Sequence, residues 1–186
     1  TLAQMTFAGY QFIGMDHFAK ADNELAVAQN KGQLHRNFQG YTTHGNCDLL
    51  GLGVSSISQI GTAILQNQKV LKHYYHEIET QAGSAIHKGM HLTHDDVIRA
   101  EAIKSLICQF ELDTHAFSKK HSIHFNEYFA DALMALKPLI DDDMVHINDK
   151  EIRVTPRGNL FIRIICMCFD AHLQKQISKT RFSRVI

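Results

Sequence analysis

The chain has 186 residues, 45% of them hydrophobic and 20% charged, an ordinary globular composition with enough apolar residues to bury a core. Lys plus Arg and Asp plus Glu both number 19, so no net field draws a polyanion, and a nucleic-acid partner is disfavoured. Four cysteines without framework spacing and no apolar leader after a basic segment point to a reducing cytoplasm, and the most apolar run, Leu160 to Phe169, is short and broken by Arg163, which excludes a membrane span.

In chain order, Leu2, Met5 and Ala8 fall on helical spacing and stop at Gly9, so the chain opens with the tail of a helix. Tyr10 to Met15 is aromatic and β-branched, hence a strand, with the polar pair Asp16-His17 at its end. Asp22 or Asn23 caps a short helix through Ala28 that ends at Gly32. The stretch from Leu34 to Gly61 is the least generic part. Its first half is crowded with hydrogen-bonding side chains (Arg36, Asn37, Gln39, Tyr41, Thr42, Thr43). Its second half reads as an apolar strand, Leu49 to Ser56, whose glycines and serines leave room for something to approach the backbone. A ligand-facing wall fits both halves.

Beyond Gly61 the pattern turns helical. Asn67 starts a helix striped by Val70, Leu71, Tyr74 and Ile78 that ends near Gly83, and a short extended piece follows at Met90 to Leu92. Thr93 to Asp96 resembles a capping box and opens a helix to about Phe110 with Val97, Ile98, Ala102, Leu106, Ile107 and Phe110 inward. Phe125, Phe129, Leu133 and Leu136 make another helix, stopped by Pro138. Met144 to Ile147 and Ile152 to Val154 flank the polar turn Asn148-Asp149-Lys150 as a hairpin, and Thr155-Pro156 caps a last helix running to about Ile177. Helix, helix, hairpin, helix is a winged-helix-like order. No repeat or low-complexity segment occurs, and two prolines make no rigid linker.

The string His35-Arg36-Asn37-Phe38-Gln39-Gly40-Tyr41-Thr42-Thr43, with Asp48-Leu49-Leu50-Gly51 and Gly53-Val54-Ser55 after it, closely resembles the oxygen-independent coproporphyrinogen III oxidase family of radical S-adenosylmethionine enzymes. Gly9 to Ala19, Ile103 to Cys108, Ile165 to Asp170 and Phe182 to Ile186 resemble the same family, so the likeness covers the whole chain. It implies an α+β, mostly helical fold. Residues 1–61 would be the last strands and helices of a partial (βα) barrel with a cavity-wall segment, and 62–186 a helical C-terminal domain with a winged-helix-like β-hairpin. In a βα barrel Asp16 and His17 stand on the catalytic rim, and the Leu49 to Ser56 strand would close the open side. The implied activity is oxidative decarboxylation of two propionates of coproporphyrinogen III to vinyls, giving protoporphyrinogen IX. The implied cofactors are S-adenosylmethionine, two molecules in the family, and a [4Fe-4S] cluster; the electron donor and acceptor are unknown, and the family enzyme is expected to be monomeric.

One departure matters. The family holds its cluster with cysteines in a C-x-x-x-C-x-x-C arrangement. No spacing among Cys47, Cys108, Cys166 and Cys168 supplies three ligands, and the chain begins at Thr1. It therefore reads as a C-terminal fragment, inert alone, whose apolar faces made to meet the missing barrel favour self-association.

The resemblance assigns Phe38, Gln39 and Ile57 to S-adenosylmethionine. A ring stacks on a purine and an amide pairs with its edge; the competing readings are core for Phe38 and Ile57 and a strand-edge hydrogen bonder for Gln39. Asp16 and His17 are weak catalytic candidates as an acid–base or orienting pair, against a turn whose Asp caps backbone groups. Arg36 is a weak candidate for a substrate propionate, since guanidinium binds carboxylate bidentately, against a structural ion pair. The pairs His73/His76 and His121/His124 have metal-ligand spacing but both read as solvated faces, and Cys108 as a small buried hydrophobe. Two other functions compete with the oxidase: a haem-binding relative, whose members keep less of the Arg36 to Thr43 string, and a winged-helix binding module, opposed by Glu127, Asp131 and Asp141 to Asp143 beside the hairpin.

Overall fold

The computed structural model describes residues 1–45, 47–80 and 84–176. It is a mixed helix-and-sheet chain that divides into two compact units, residues 1–43 with 99–186, and residues 44–98. The change of sequence pattern near Gly61 therefore falls inside the second unit.

The first unit opens with helix α1, Leu2–Phe7, and strand β1, Tyr10–Gly14. No helix follows β1. The chain reverses through Met15 and Asp16, Met15 with φ of 55°, and returns as β2, His17–Lys20, antiparallel to β1. Facing side chains stabilise this hairpin: Phe12 pairs with Phe18, ring centroids 5.4 Å apart. Asn23 then caps α2, Glu24–Asn30, its side chain accepting from the Leu25 amide. Strands β3, His35–Asn37, and β4, Gly40–Thr42, form a second hairpin. Ile13, Ala19, Ala26, Ala28, Leu34 and Cys108 are the buried centre beneath these elements. The Gln29 amide stitches the layers by donating to the carbonyls of Ile13 (2.6 Å) and Cys108 (3.1 Å).

In the second unit β5, Ile57–Ile60, β6, Ala63–Asn67, and β7, Ile86–His91, form an antiparallel sheet in that order, with α3, Leu71–Thr80, between β6 and β7. The strand expected over Leu49 to Ser56 is absent; only Leu49 bridges to Gln59. The small residues there accommodate the chain's own backbone. A Cβ at Gly51 would come within 2.6 Å of the Ile57 carbonyl oxygen, while the Gly51 amide donates to Ser58 Oγ at 2.9 Å. Asn67 ends β6 and donates to the Gly53 carbonyl, so the helix expected from Asn67 starts four residues later. Its expected end near Gly83 lies outside the described residues.

Helix α4, His94–Gln109, starts at the expected capping box: the Thr93 amide donates to Asp96 Oδ2 (2.8 Å) and the Asp96 amide to Thr93 Oγ1 (3.2 Å). Ile98, Ala102 and Leu106 are buried, whereas Val97 is exposed. Phe110, at φ of 60°, ends the helix and leads into β8, Glu111–Asp113. Helices α5, Thr114–His121, α6, Phe125–Tyr128, and α7, Ala130–Asp141, follow, then β9, Val145–Ile147, and β10, Glu151–Val154. The three strands make an antiparallel sheet ordered β8-β10-β9. Pro138 lies inside α7 instead of ending it, because its ring faces solvent and the carbonyl it frees is that of exposed Met134. The last helix is broken: a 3-10 turn, Gly158–Phe161, leads to α8, Ile162–Met167, and Asp170 recaps α9, Ala171–Gln176, by accepting from the amides of His172 and Leu173. The Thr155 cap is as expected, its hydroxyl accepting from the Gly158 amide.

An aromatic ladder holds this part together. Phe129 is buried against Phe125 (4.7 Å), Phe169 (5.4 Å) and Phe117 (6.0 Å). Each such ring contributes about 1.5–3 kcal/mol by burial alone. Among the described residues no helix is long and apolar enough to cross a membrane.

Candidate functional site

The site grows from the β3–β4 hairpin. Its turn has two residues, Phe38 and Gln39, closed by an Asn37 side chain that accepts from the Gln39 amide at 2.8 Å. Both turn side chains are exposed, Phe38 by 50%, so neither the core nor the strand-edge reading describes them. Ile57 belongs to the other compact unit, half-buried on β5 opposite Gln66.

Behind the turn, the register sets Arg36 directly opposite Tyr41. The Arg36 guanidinium carbon lies 4.8 Å from the centre of the Tyr41 ring. The other neighbour of that ring is His17, edge-on at 5.2 Å, and His17 Nδ1 stands 2.8 Å from Asp16 Oδ1. The hairpin turn that replaced the expected strand-to-helix rim thus brings Asp16 and His17 to Tyr41. The Tyr41 hydroxyl donates to the Ile107 carbonyl at 3.1 Å, fixing the ring against the end of α4. Gly14, at φ of 149°, leaves the space for that bond, since a Cβ there would collide with the hydroxyl.

Electrostatically the cluster is unbalanced. Arg36 Nη1 is screened from solvent and has no hydrogen-bond partner, and no carboxylate pairs with Arg36 among the described residues. The structural ion pair weighed for Arg36 is therefore absent there. Burial raises the Tyr41 phenol above its usual range, against the opposing effect of Arg36, so it remains neutral. Burial likewise pushes the thiols of Cys108 and Cys166 up to about 12.

Those cysteines do not suit an iron–sulfur cluster. Cys108 and Cys166 are buried protonated thiols, Cys47 is in the other unit, and among the described residues no three His, Cys, Asp or Glu side chains gather as a metal site. Of the histidine pairs, His73 and His76 are exposed, whereas His121 departs from the solvated-face reading. It is 10% exposed, packs on Phe117 at 4.4 Å and lies 3.2 Å from Glu101. Ser122, at φ of 54°, ends α5 between His121 and His124, so they do not share a helix.

Tyr41 and Gly14 were not singled out by sequence reasoning. The available signal was the two-residue Phe38-Gln39 turn, which fixes Arg36 opposite Tyr41 once the hairpin is recognised.

Comparison with known proteins gives this hairpin a context. Residues 92–161 match the family described as HemN C-terminal domain. The fold superimposes on part of a solved radical SAM enzyme, the coproporphyrinogen III oxidase of Escherichia coli, with a TM-score of 0.87 and 54% identity over 92% of this chain and 39% of that one. All 186 residues align with the oxygen-independent coproporphyrinogen III oxidases of Salmonella typhimurium (56% identity) and Escherichia coli (55%), covering 40% of each. The Synechocystis oxidase is 46% identical, with 41% of its length covered. The fold is thus similar to a segment of a solved radical SAM enzyme. Through its whole length the chain is related to the oxygen-independent coproporphyrinogen III oxidases, and it spans about 40% of the length of these relatives.

Proposed function

We propose that this chain forms part of an enzyme that decarboxylates two propionates of coproporphyrinogen III to vinyls, yielding protoporphyrinogen IX. The observation that carries this reading is identity above one half, over all 186 residues of this chain and 40% of their length, to oxidases of that name. When bound and cleaved by one electron from a reduced cluster, S-adenosylmethionine would supply a radical able to take a propionate β-hydrogen, and the electron released with carbon dioxide would pass to an external acceptor.

In this reading Phe38 stacks on the adenine and Gln39 pairs with its edge, which suits their exposure at a turn fixed by Asn37. Ile57 contributes through its backbone. Asp16 and His17 orient groups at the reacting end of the cavity, where their mutual contact sets the imidazole's direction. The cluster is held by sequence other than this chain's cysteines. Residues 1–61 are the edge of a partial barrel. Residues 62–186 are a C-terminal domain whose β8-β10-β9 sheet with α4, α5 and α7 is winged-helix-like in order. The exposed acids Glu127, Asp131 and Asp141 to Asp143 weigh against a nucleic-acid role for that domain. The enzyme is cytoplasmic and monomeric.

The test uses the full-length protein containing this chain, reconstituted without oxygen and given S-adenosylmethionine, a reductant and coproporphyrinogen III. Protoporphyrinogen IX and 5′-deoxyadenosine together are the expected products; cluster-loaded enzyme that yields neither contradicts the reading.

A further inference from the structure

A buried cation without an anion is costly unless something arrives to pair with it. Arg36 is half-buried and approaches that case. Its Nη1 has no partner and no access to solvent, and no carboxylate pairs with it among the described residues. The nearby Asp16 carboxylate is engaged by His17. The positive charge of Arg36 acts to lower the pKa of Tyr41, Cys108 and Cys166, yet burial outweighs it and keeps all three protonated and neutral. The neighbours that could have neutralised Arg36 do not.

The arrangement is nevertheless well held. The cross-strand register faces Arg36 with Tyr41, whose ring gives the guanidinium a flat platform at 4.8 Å. The Tyr41 hydroxyl is anchored on the Ile107 carbonyl, and Gly14 keeps the way clear. His17 packs edge-on against the same ring at 5.2 Å. By comparison Arg153, exposed on β10, lies within 3.6 Å of Glu111 and 2.9 Å of Glu151.

We propose that Arg36 is a seat for a ligand carboxylate, with Tyr41 as the positioning residue that holds its guanidinium. The fork takes the carboxylate oxygens in two parallel N–H···O bonds, with the idle Nη1 as one donor. Arg36 is half-buried at the hairpin, not sealed in the core, so rotation about its terminal bonds suffices to present the fork. This rests on the oxidase reading, which offers two carboxylates: a propionate of the tetrapyrrole or the methionine carboxylate of S-adenosylmethionine.

The experiment measures equilibrium binding to full-length, cluster-loaded enzyme of four probes: coproporphyrin III, its tetramethyl ester, S-adenosylmethionine and decarboxylated S-adenosylmethionine. Arg36→Met is expected to weaken one carboxylate probe by about 10- to 100-fold, the range of a lost charge-assisted pair, and to leave its carboxylate-free counterpart unchanged. Loss confined to coproporphyrin III identifies a propionate; loss confined to S-adenosylmethionine identifies the methionine carboxylate. Arg36→Lys, which keeps charge but not the fork, falls between. Tyr41→Leu weakens the same probe by about three- to tenfold and Tyr41→Phe restores it, because the ring is the platform. The melting temperature of Arg36→Met is expected to equal or exceed that of wild type, since a half-buried charge without a paired anion is removed. Unchanged affinity for every probe overturns the proposal, and so does a lowered melting temperature with equal losses on all four probes, which marks a structural arginine. Wild-type enzyme that binds neither coproporphyrin III nor S-adenosylmethionine overturns the oxidase reading first, and the seat with it.

Discussion

Two arginines on hairpin strands divide the molecule by purpose. Arg153, on β10, is exposed and lies among carboxylates that raise its own pKa and lower that of Glu151, chiefly through their hydrogen bond. Arg36, on β3, is half-buried with a ring beneath it and no carboxylate paired to it. The C-terminal region spends its charges on itself: Glu101 takes Lys120 on one oxygen and lies 3.2 Å from His121 on the other. The β3–β4 hairpin leaves a charge unspent and two large side chains in solvent at its turn. The region that stabilises the chain and the region proposed to seat a ligand differ in how completely their polar groups are satisfied.

The comparison can be sharpened by substitutions of decreasing effect. Phe129→Ala, in the aromatic ladder, should destabilise by about 3–5 kcal/mol in denaturant unfolding. Gly14→Ala should cost about 1–3 kcal/mol, because the new methyl displaces the Tyr41 hydroxyl at a backbone angle unsuited to alanine. Its distinguishing sign is that carboxylate-probe affinity falls with it, whereas Phe129→Ala leaves the affinity of the remaining folded enzyme unchanged. Thr93→Ala removes one half of the capping box and should cost about 1 kcal/mol. Arg153→Met, at an exposed position, should leave both the melting temperature and binding unmoved.

Alkaline pH probes the same centre. Burial raises the folded-state pKa of Cys108 and Cys166 from an ordinary value near 9 to about 12. The unfolded chain therefore releases these protons first as pH rises. Their contribution to stability is complete below pH 9 and is lost between about 9 and 12. Unfolding followed across that window should show falling stability, less steep in Cys108→Ala. Exposed Cys47 should react with a thiol reagent at neutral pH while Cys108 and Cys166 stay protected until unfolding.

Much of the C-terminal region was legible because its signals are local. The Thr93–Asp96 box, the Asn148 turn and the Thr155 cap are each complete within a few residues. What escaped was long-range. β2 and β6 are strands because their partners exist, and their own patterns are weak. Gly51 suggested a ligand's approach when the approaching backbone was β5 itself, and Gly53, at φ of 102°, serves the turn of the chain. At the site, the resemblance singled out Phe38 and Gln39 and guanidinium chemistry singled out Arg36, but only the hairpin register brings Tyr41 beneath Arg36 and only the β1–β2 turn brings His17 to Tyr41.

The most direct test of the central claim measures S-adenosylmethionine affinity, 5′-deoxyadenosine and protoporphyrinogen IX for full-length, cluster-loaded enzyme carrying Gln39→Ala or Ile57→Gly. If these positions line the S-adenosylmethionine site, affinity falls about tenfold or more, as for a lost hydrogen bond to a charged or buried group, and both products fall together with the cluster spectrum intact. Wild-type affinity and turnover in both variants would contradict that placement and reduce the hairpin turn to scaffold.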